Sequence, residues 1–367
     1  MNRSRPLAKP WRYATFSSQT RARALVLRHG WNATAYQILN PGIEHWFDSA
    51  GTAVAGYVRR HGFLLVVGAP VCAEPELARV AAEFEAFARK QGCAVCYVCA
   101  EERLRRVFDG RADHATVAAG AQPAWDPREW DRVLKTRGSL RAQLRRAANK
   151  RVQVEEVDPG EAAADPEIAA VLKSWLKSRG LPPLHFMVEP DVLRGAIDER
   201  IVFAARRHGH TVAYLVASPI PARNGWLLEE LARGRGAPNG VSELLIDTAM
   251  RRFAREGRGY VSMGLVALAR GSFDANPWWL RALMQIARAH ANRFYNFRGL
   301  ESFRTKLSPA RWEKIWFITN EPRFSLRALY AVGAAFSGIS PVRAIGIGIL
   351  KGLGQEIKAL ANWRRQE

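Results

Sequence analysis

Apolar and polar positions along the chain follow two periods in turn. Short β-branched and aromatic runs at residues 35–39, 46–48, 53–59 and 63–67 predict strands. Leu77, Val80, Ala81, Phe84, Phe87 and Ala88 then recur at helical spacing over residues 75–91. Gly92 ends that helix, and residues 93–99 read as a further strand. The same order returns later. Strands are predicted at 201–205, 211–217 and 226–231, a helix at 241–255 on Val241, Leu244, Leu245, Ala249 and Phe253, and a strand at 260–265. Arg59-Arg60-His61-Gly62 and Arg206-Arg207-His208-Gly209 supply the same four-letter turn in the two series. Each half reads as β-hairpin, helix, strand, an α/β sandwich built twice.

Between the halves, residues 139–151 form a helix that Ser139 can cap, with a narrow apolar stripe of Leu140, Leu144 and Ala147. Its remaining surface is cationic and suits either solvent or an RNA or lipid phosphate backbone. A helix at 168–179 follows, then helical residues 277–291 and a closing strand at 312–318. From residue 326 to 350 the chain is almost free of acid, and Pro341 interrupts it. The break suits two short interfacial helices or a shallow hairpin at a membrane. A helical pair packed on the protein is the alternative.

Composition narrows the class. At 367 residues, 48% hydrophobic and 24% charged, the chain is globular and long enough for two domains. Its formal net charge of +21 favours polyanions: RNA, an anionic membrane surface or phosphorylated small molecules. Cys93, Cys96 and Cys99 have metal-motif spacing, but strand alternation turns Cys96 away from the other two, which predicts core thiols and no metal site. The basic first 28 residues, with Trp11, Tyr13 and Phe16, lack an apolar signal region and read as an arm on the body or a membrane contact.

The candidate chemistry gathers in the second half. Arg233, Arg235, Gly236, Asn239, Gly240 and Val241 form a glycine- and arginine-rich loop opening a helix, a place where backbone N–H groups and guanidinium ions bind phosphate. Glu243 and Asp247, one helical turn apart, share a face and are candidates for a general base or an amine ligand. Glu229 and Glu230 occupy adjacent strand positions, so one carboxylate faces inward, and Glu230 is taken as the candidate. Asn296 can orient a carbonyl. Arg298, Lys306, Arg141 and Arg145 are candidate contacts for a lipid or RNA phosphate. His185, after a Pro-Pro pair, is either a base or a hydrogen-bonded loop histidine.

Three stretches together carry a family resemblance: residues 140–152, Asn239-Gly240-Val241-Ser242-Glu243-Leu244-Leu245-Ile246-Asp247, and Tyr295-Asn296-Phe297-Arg298-Gly299-Leu300 with Phe303, Lys306 and Trp312. Over about residues 30 to 320 the chain resembles the C-terminal catalytic domain of the phosphatidylglycerol lysyltransferases. The resemblance implies a tandem GNAT-like α/β fold, which divides the chain into an N-terminal lobe at 1–135 and a catalytic lobe at 136–320, while the apolar and basic composition of 321–367 predicts a membrane-associating tail. It implies transfer of an aminoacyl group from aminoacyl-tRNA to a hydroxyl of phosphatidylglycerol, without a cofactor, peripherally on the cytoplasmic membrane face. The family's many-helix flippase region is not in this sequence, so lipid is expected to be reached through the tail or a separate membrane protein. Two other readings stay open: an acyltransferase using coenzyme A thioesters, and a non-catalytic basic protein that binds membrane or RNA.

Overall fold

The computed structural model describes residues 11–178, 185–188, 191–267, 269, 276–290 and 297–337. Helix α1 (Trp11–His29) leads to strands β1 (Glu44–Phe47), β2 (Val54–Arg60) and β3 (Phe63–Val67). Helix α2 (Leu77–Lys90) crosses over to β4 (Ala94–Ala100), followed by α3 (Glu102–Val107) and β5 (Ala115–Trp125). Helices α4 (Trp130–Thr136) and α5 (Gly138–Asn149), β6 (Val152–Val157), α6 (Pro159–Ala164) and α7 (Pro166–Lys177) link the halves. The second series is β7 (Ile201–Arg207), β8 (His210–Ile220), β9 (Gly225–Arg233), α8 (Val241–Arg255) and β10 (Tyr260–Ser262). Strand β11 (Val266–Ala267), helices α9 (Trp278–His290) and α10 (Phe297–Lys306), strand β12 (Arg311–Thr319) and α11 (Leu326–Ser337) follow.

The strands form one sheet in the order β1-β2-β3-β4-β12-β5-β10-β9-β8-β7-β6, with β11 paired to β5. Among the described strand pairs only β3/β4 and β9/β10 are parallel, each joined by a helical crossover. The duplication is therefore real at the level of topology. The two shared turns match in backbone as well: His61 and Gly62 have φ of 48° and 79°, and His208 and Gly209 have 53° and 82°. Positive φ at both central residues is the hairpin turn whose twist fits the flanking strands. The halves also trade strands. Strand β12, late in the chain, lies between β4 and β5, while β5, from the first half, pairs with β10 of the second.

Helices cover both faces. In the first half α2 packs Leu77, Val80, Ala81, Phe84 and Ala88 on Leu64, Val66, Val95 and Tyr97. On the opposite face Val26 of α1, Leu280 and Met284 of α9, and Ala328, Ala331 and Val332 of α11 cover Phe63, Leu65, Val67, Cys96 and Val98. In the second half α8 packs on Phe203, Leu215 and Leu228, and α7 lies against Tyr214, Val216 and Ala232.

Four local expectations change. Residues 36–39 form a turn of 3-10 helix, because Tyr36, Ile38 and Leu39 are all buried where the chain passes between the halves. Ser139 lies inside the first turn of α5 and does not cap it; Arg137 holds that position without a side-chain cap. Cys96 and Cys99 face the same core, since the ladder to β12 slips between Trp316 and Phe317 and Cys99 takes a φ of 62°. Such a bulge inserts one residue and resets the alternation. Burial pushes the Cys99 thiol up to about 12. The tail's first helix, α11, turns its apolar face onto β2 and β3, and Arg327 donates to the His61 carbonyl at 3.2 Å. Residues 338–367, the rest of the expected membrane-associating tail, lie outside the described residues.

A charged knot sits beneath α2. The two ring nitrogens of His114 donate to Glu85 at 3.0 Å and to Asp113 at 2.8 Å, and Tyr97 donates to Glu85 at 3.1 Å. Burial works against the imidazolium, but the two carboxylates outweigh it and raise the His114 pKa above 6.5. A raised folded-state pKa stabilises the fold below the unfolded pKa, and that contribution is lost as pH rises through the folded value. Denaturant titrations across neutral pH should show the midpoint gap between wild type and His114→Gln shrinking as pH increases.

Candidate functional site

Strand β9 is the spine of the second lobe. It pairs with β10 only at Gly225, Trp226 and Leu227, and a side chain at Gly225 would meet the Tyr260 carbonyl at 2.6 Å. Beyond Leu227 the two part, because the chain after Ser262 follows β5 as β11. From Leu228 to Arg233, β9 keeps β8 as its ladder partner. The ladder to β8 slips at Val216/Ala217, so Glu229 has no residue opposite it. Both glutamates are enclosed, where alternation had put one inward. Glu229 takes two 3.1 Å hydrogen bonds from the fully buried Arg200, and Glu230, 5% exposed, accepts from Tyr214 on the other face.

The loop after β9 is tied down by its own backbone. Gly234 N–H donates to Val212, Ala237 N–H to Gly234, Arg233 reaches the Ala237 carbonyl at 3.0 Å, and Arg235 N–H meets Ser174 Oγ at 3.2 Å. The Arg235 side chain and Asn239 face solvent. Gly240, with φ of 92°, then turns the chain into α8, which carries the positive end of its dipole at this start. A Cβ at Gly240 would lie 2.1 Å from the Gln143 carbonyl oxygen of α5. The cationic helix is thus seated directly on the loop.

The predicted site residues separate into two groups. Arg145 and Lys306 are exposed and form no hydrogen bond or ion pair among the described residues. Glu243, half-buried in the first turn of α8, likewise has no partner there. Others are committed to structure. Asp247 accepts from Trp130 Nε1 at 2.7 Å and from Arg251 at 3.1 Å, fastening α8 to α4. Arg141 donates to the Leu134 and Lys135 carbonyls at the end of α4. His185 is an exposed loop residue whose N–H donates to Phe336. Asn296 and the side chain of Arg298 lie outside the described residues.

The comparison with protein families then decides the affiliation: the model described as "Phosphatidylglycerol lysyltransferase, C-terminal" matches residues 23–319. The chain belongs to this family. The MprF-like domain protein Rv1619 of Mycobacterium tuberculosis is 26% identical over 275 residues, 70% of this chain and 55% of that protein. The chain thus spans about half the length of the curated relative it matches. The C-terminal domain (DUF2156) of a putative lysylphosphatidylglycerol synthetase from Agrobacterium fabrum superposes with a TM-score of 0.74 at 19% identity, covering 88% of this chain and 98% of that one. L-PGS from Bacillus licheniformis gives 0.71 at 19% identity, over 91% and 96%. At these identities the structures share the fold, and the tandem α/β architecture implied by the resemblance is the one present.

A second polar centre escaped the sequence reading. Arg223, just before β9, donates to Glu101 at 3.0 Å and to both oxygens of Glu313 at 2.7 and 3.2 Å. Tyr260 donates to Glu313 at 2.8 Å, Gln122 does so at 3.1 Å, and the guanidinium stacks 3.5 Å over the Tyr260 ring. Burial would raise the Glu313 carboxyl, but Arg223 and the neutral donors bring it to about 2. Burial dominates at Glu101, which Arg223 only partly offsets, and its pKa is raised. The partners stand 122 and 90 residues from Arg223, so neither period nor motif announces them. Arg223→Met should cost about 3–5 kcal/mol in chemical denaturation, because it leaves two enclosed carboxyls without their shared cation. Gly240→Ala should lower the unfolding midpoint and cost about 2 kcal/mol or more, since neither the positive φ nor the α5 carbonyl admits a methyl group.

Proposed function

We propose that the protein transfers an aminoacyl group from aminoacyl-tRNA to a hydroxyl of a membrane phospholipid such as phosphatidylglycerol, at the cytoplasmic membrane face. Family membership supports the reaction class. The observation that carries the donor is the contact of α5 with the loop before α8. It brings a helix with exposed Arg145 and Arg146, and Lys150 just past its end, together with a loop carrying exposed Arg235 at one helix start, a cationic surface around an anion-binding turn.

The chemistry asks little beyond placement. The acceptor oxygen attacks the aminoacyl carbonyl carbon, its proton passes to a base, and the ribose oxygen leaves with a proton as the old ester bond breaks. The donor ester is already activated, so no cofactor is needed; positioning and stabilisation of the oxyanion supply the rate. Glu243, without a partner among the described residues and at the start of α8, is the proposed base or amine ligand. Asn296 and Arg298 remain proposed contacts for the carbonyl and for phosphate.

Purified protein with charged tRNA and phosphatidylglycerol vesicles should yield an aminoacylated lipid by mass spectrometry, and RNase should abolish it. Turnover that survives RNase but requires coenzyme A thioesters would replace this reading with the thioester one. Binding of RNA or vesicles with no product would leave the non-catalytic reading. Joint Arg145→Glu and Arg146→Glu should raise KM for the charged tRNA by about tenfold or more, with kcat less affected. It should also flatten the salt dependence of tRNA binding by about two phosphate contacts.

A further inference from the structure

Three helices cover one face of the first-lobe sheet, and their charge is one-sided. Helices α1, α9 and α11 contain no aspartate or glutamate, yet each carries arginine. Helix α2, on the opposite face, includes Glu83 and Glu85. Acids that touch the first layer are already engaged. Asp198 and Glu199 pair with Arg23 of α1, and Glu321 accepts from Ser325 just before α11.

Exposed apolar surface gathers in the same layer. Among the described residues the large apolar side chains open to solvent are Leu27, Val188, Trp278, Leu283, Trp312 and Leu326. All but Trp312 belong to these helices or to residues 185–188, whose Phe186 joins the same core and meets the ring of Phe336 in α11. Trp278 is 75% exposed and Leu326 67%. Each stands two residues before a side chain buried on the sheet, Leu280 and Ala328. Two residues turn an α-helix by about 200°, so both point away from the core. Arg281 is exposed one turn after Trp278.

A grouped apolar surface marks a protein or membrane partner. Tryptophan and leucine on acid-free helices, with arginine beside them, suit the surface of an anionic bilayer. Two copies of this face would repel each other, because each is cationic and neither offers a carboxylate. Residues 338–367 continue from the end of α11, so the stretch whose composition points to a membrane starts in this layer.

We propose that the outer side of the α1, α9 and α11 layer is the face on which the folded body rests on an anionic bilayer. Trp278 and Leu326 enter the boundary between headgroups and acyl chains, and Arg281 lies among the headgroups. The body thus docks by its own surface in addition to the tail, with α2 directed away from the membrane. The proposal rests on the membrane location in the function proposed above and adds an orientation to it. No tRNA enters its test, so docking without turnover would defeat the transfer reading and leave this one standing.

The test is flotation of the full chain with vesicles of phosphatidylglycerol in phosphatidylcholine, repeated with brominated acyl chains to quench tryptophan fluorescence. Joint Trp278→Ala and Leu326→Ala should weaken vesicle binding about tenfold or more, and Arg281→Ala about fivefold at low salt. Trp312→Ala, at the exposed apolar residue outside the layer, should leave binding unchanged. Trp278→Phe should remove most of the bromine-dependent quenching. Trp278 and Leu326 are exposed, so these variants should keep the unfolding midpoint of the wild type. Full vesicle binding by the double variant would place the contact elsewhere and overturn the proposal. Absence of vesicle binding by the wild type would do the same, as would a shift from dimer to monomer in the double variant with vesicle binding intact.

Discussion

Strand β12 is the constraint on which the molecule depends. Its backbone forms ladders on both sides, with β4 of the first series and with β5, whose other edge holds β10 of the second. A strand hydrogen-bonded on both sides leaves no open edge between the lobes, and the edges of the sheet fall at β1 and β6 instead. The exchange also means that neither lobe's sheet is complete without a strand from the other series. Folding of the two halves is therefore coupled through segments nearly 200 residues apart, in contacts such as that of Trp125 Nε1 with the Leu307 carbonyl at 2.9 Å, 182 residues on.

That shared sheet brings the polar centre around Arg223 into being. Gln122 from β5, Glu313 from β12, Tyr260 from β10 and Glu101 after β4 come from four adjacent strands at one end of the sheet. One guanidinium serves two carboxylates there and stacks on a ring. Its charge is needed in place because both acids are shielded from water. The opposite end of β9 is built differently. Its loop is held by backbone hydrogen bonds and by the close seat of α5, leaving the long cationic side chains to solvent. One end of the strand is thus rigid and paired, and the other is an exposed electrostatic surface.

The positions that the sequence reading marked as chemical divide by the same logic. Asp247 and Arg141 have the residue types and spacing of ligand contacts, yet each completes a helix junction, to Trp130 and to the end of α4. Glu243 and Arg145 occupy neighbouring helices and stay unpaired among the described residues. Residue type and periodicity do not distinguish these cases. A carboxylate becomes structural when an indole from another element arrives beside it, and that depends on packing.

Local periodicity, turn chemistry and composition determined much about this protein. The α2 and α8 faces, the paired His-Gly turns, the two series of strands and the cationic surface of α5 follow from interactions within a few residues, which the order of residues encodes directly. The exchange of β5 and β12, the bulge that turns Cys99 toward Cys96, the inward face of α11 and the meeting of Glu101, Arg223 and Glu313 were decided by the tertiary structure. Each depends on which segments, distant along the chain, come to share a ladder or a core. That choice is made by the burial and pairing of the whole sheet, so no local pattern carries it.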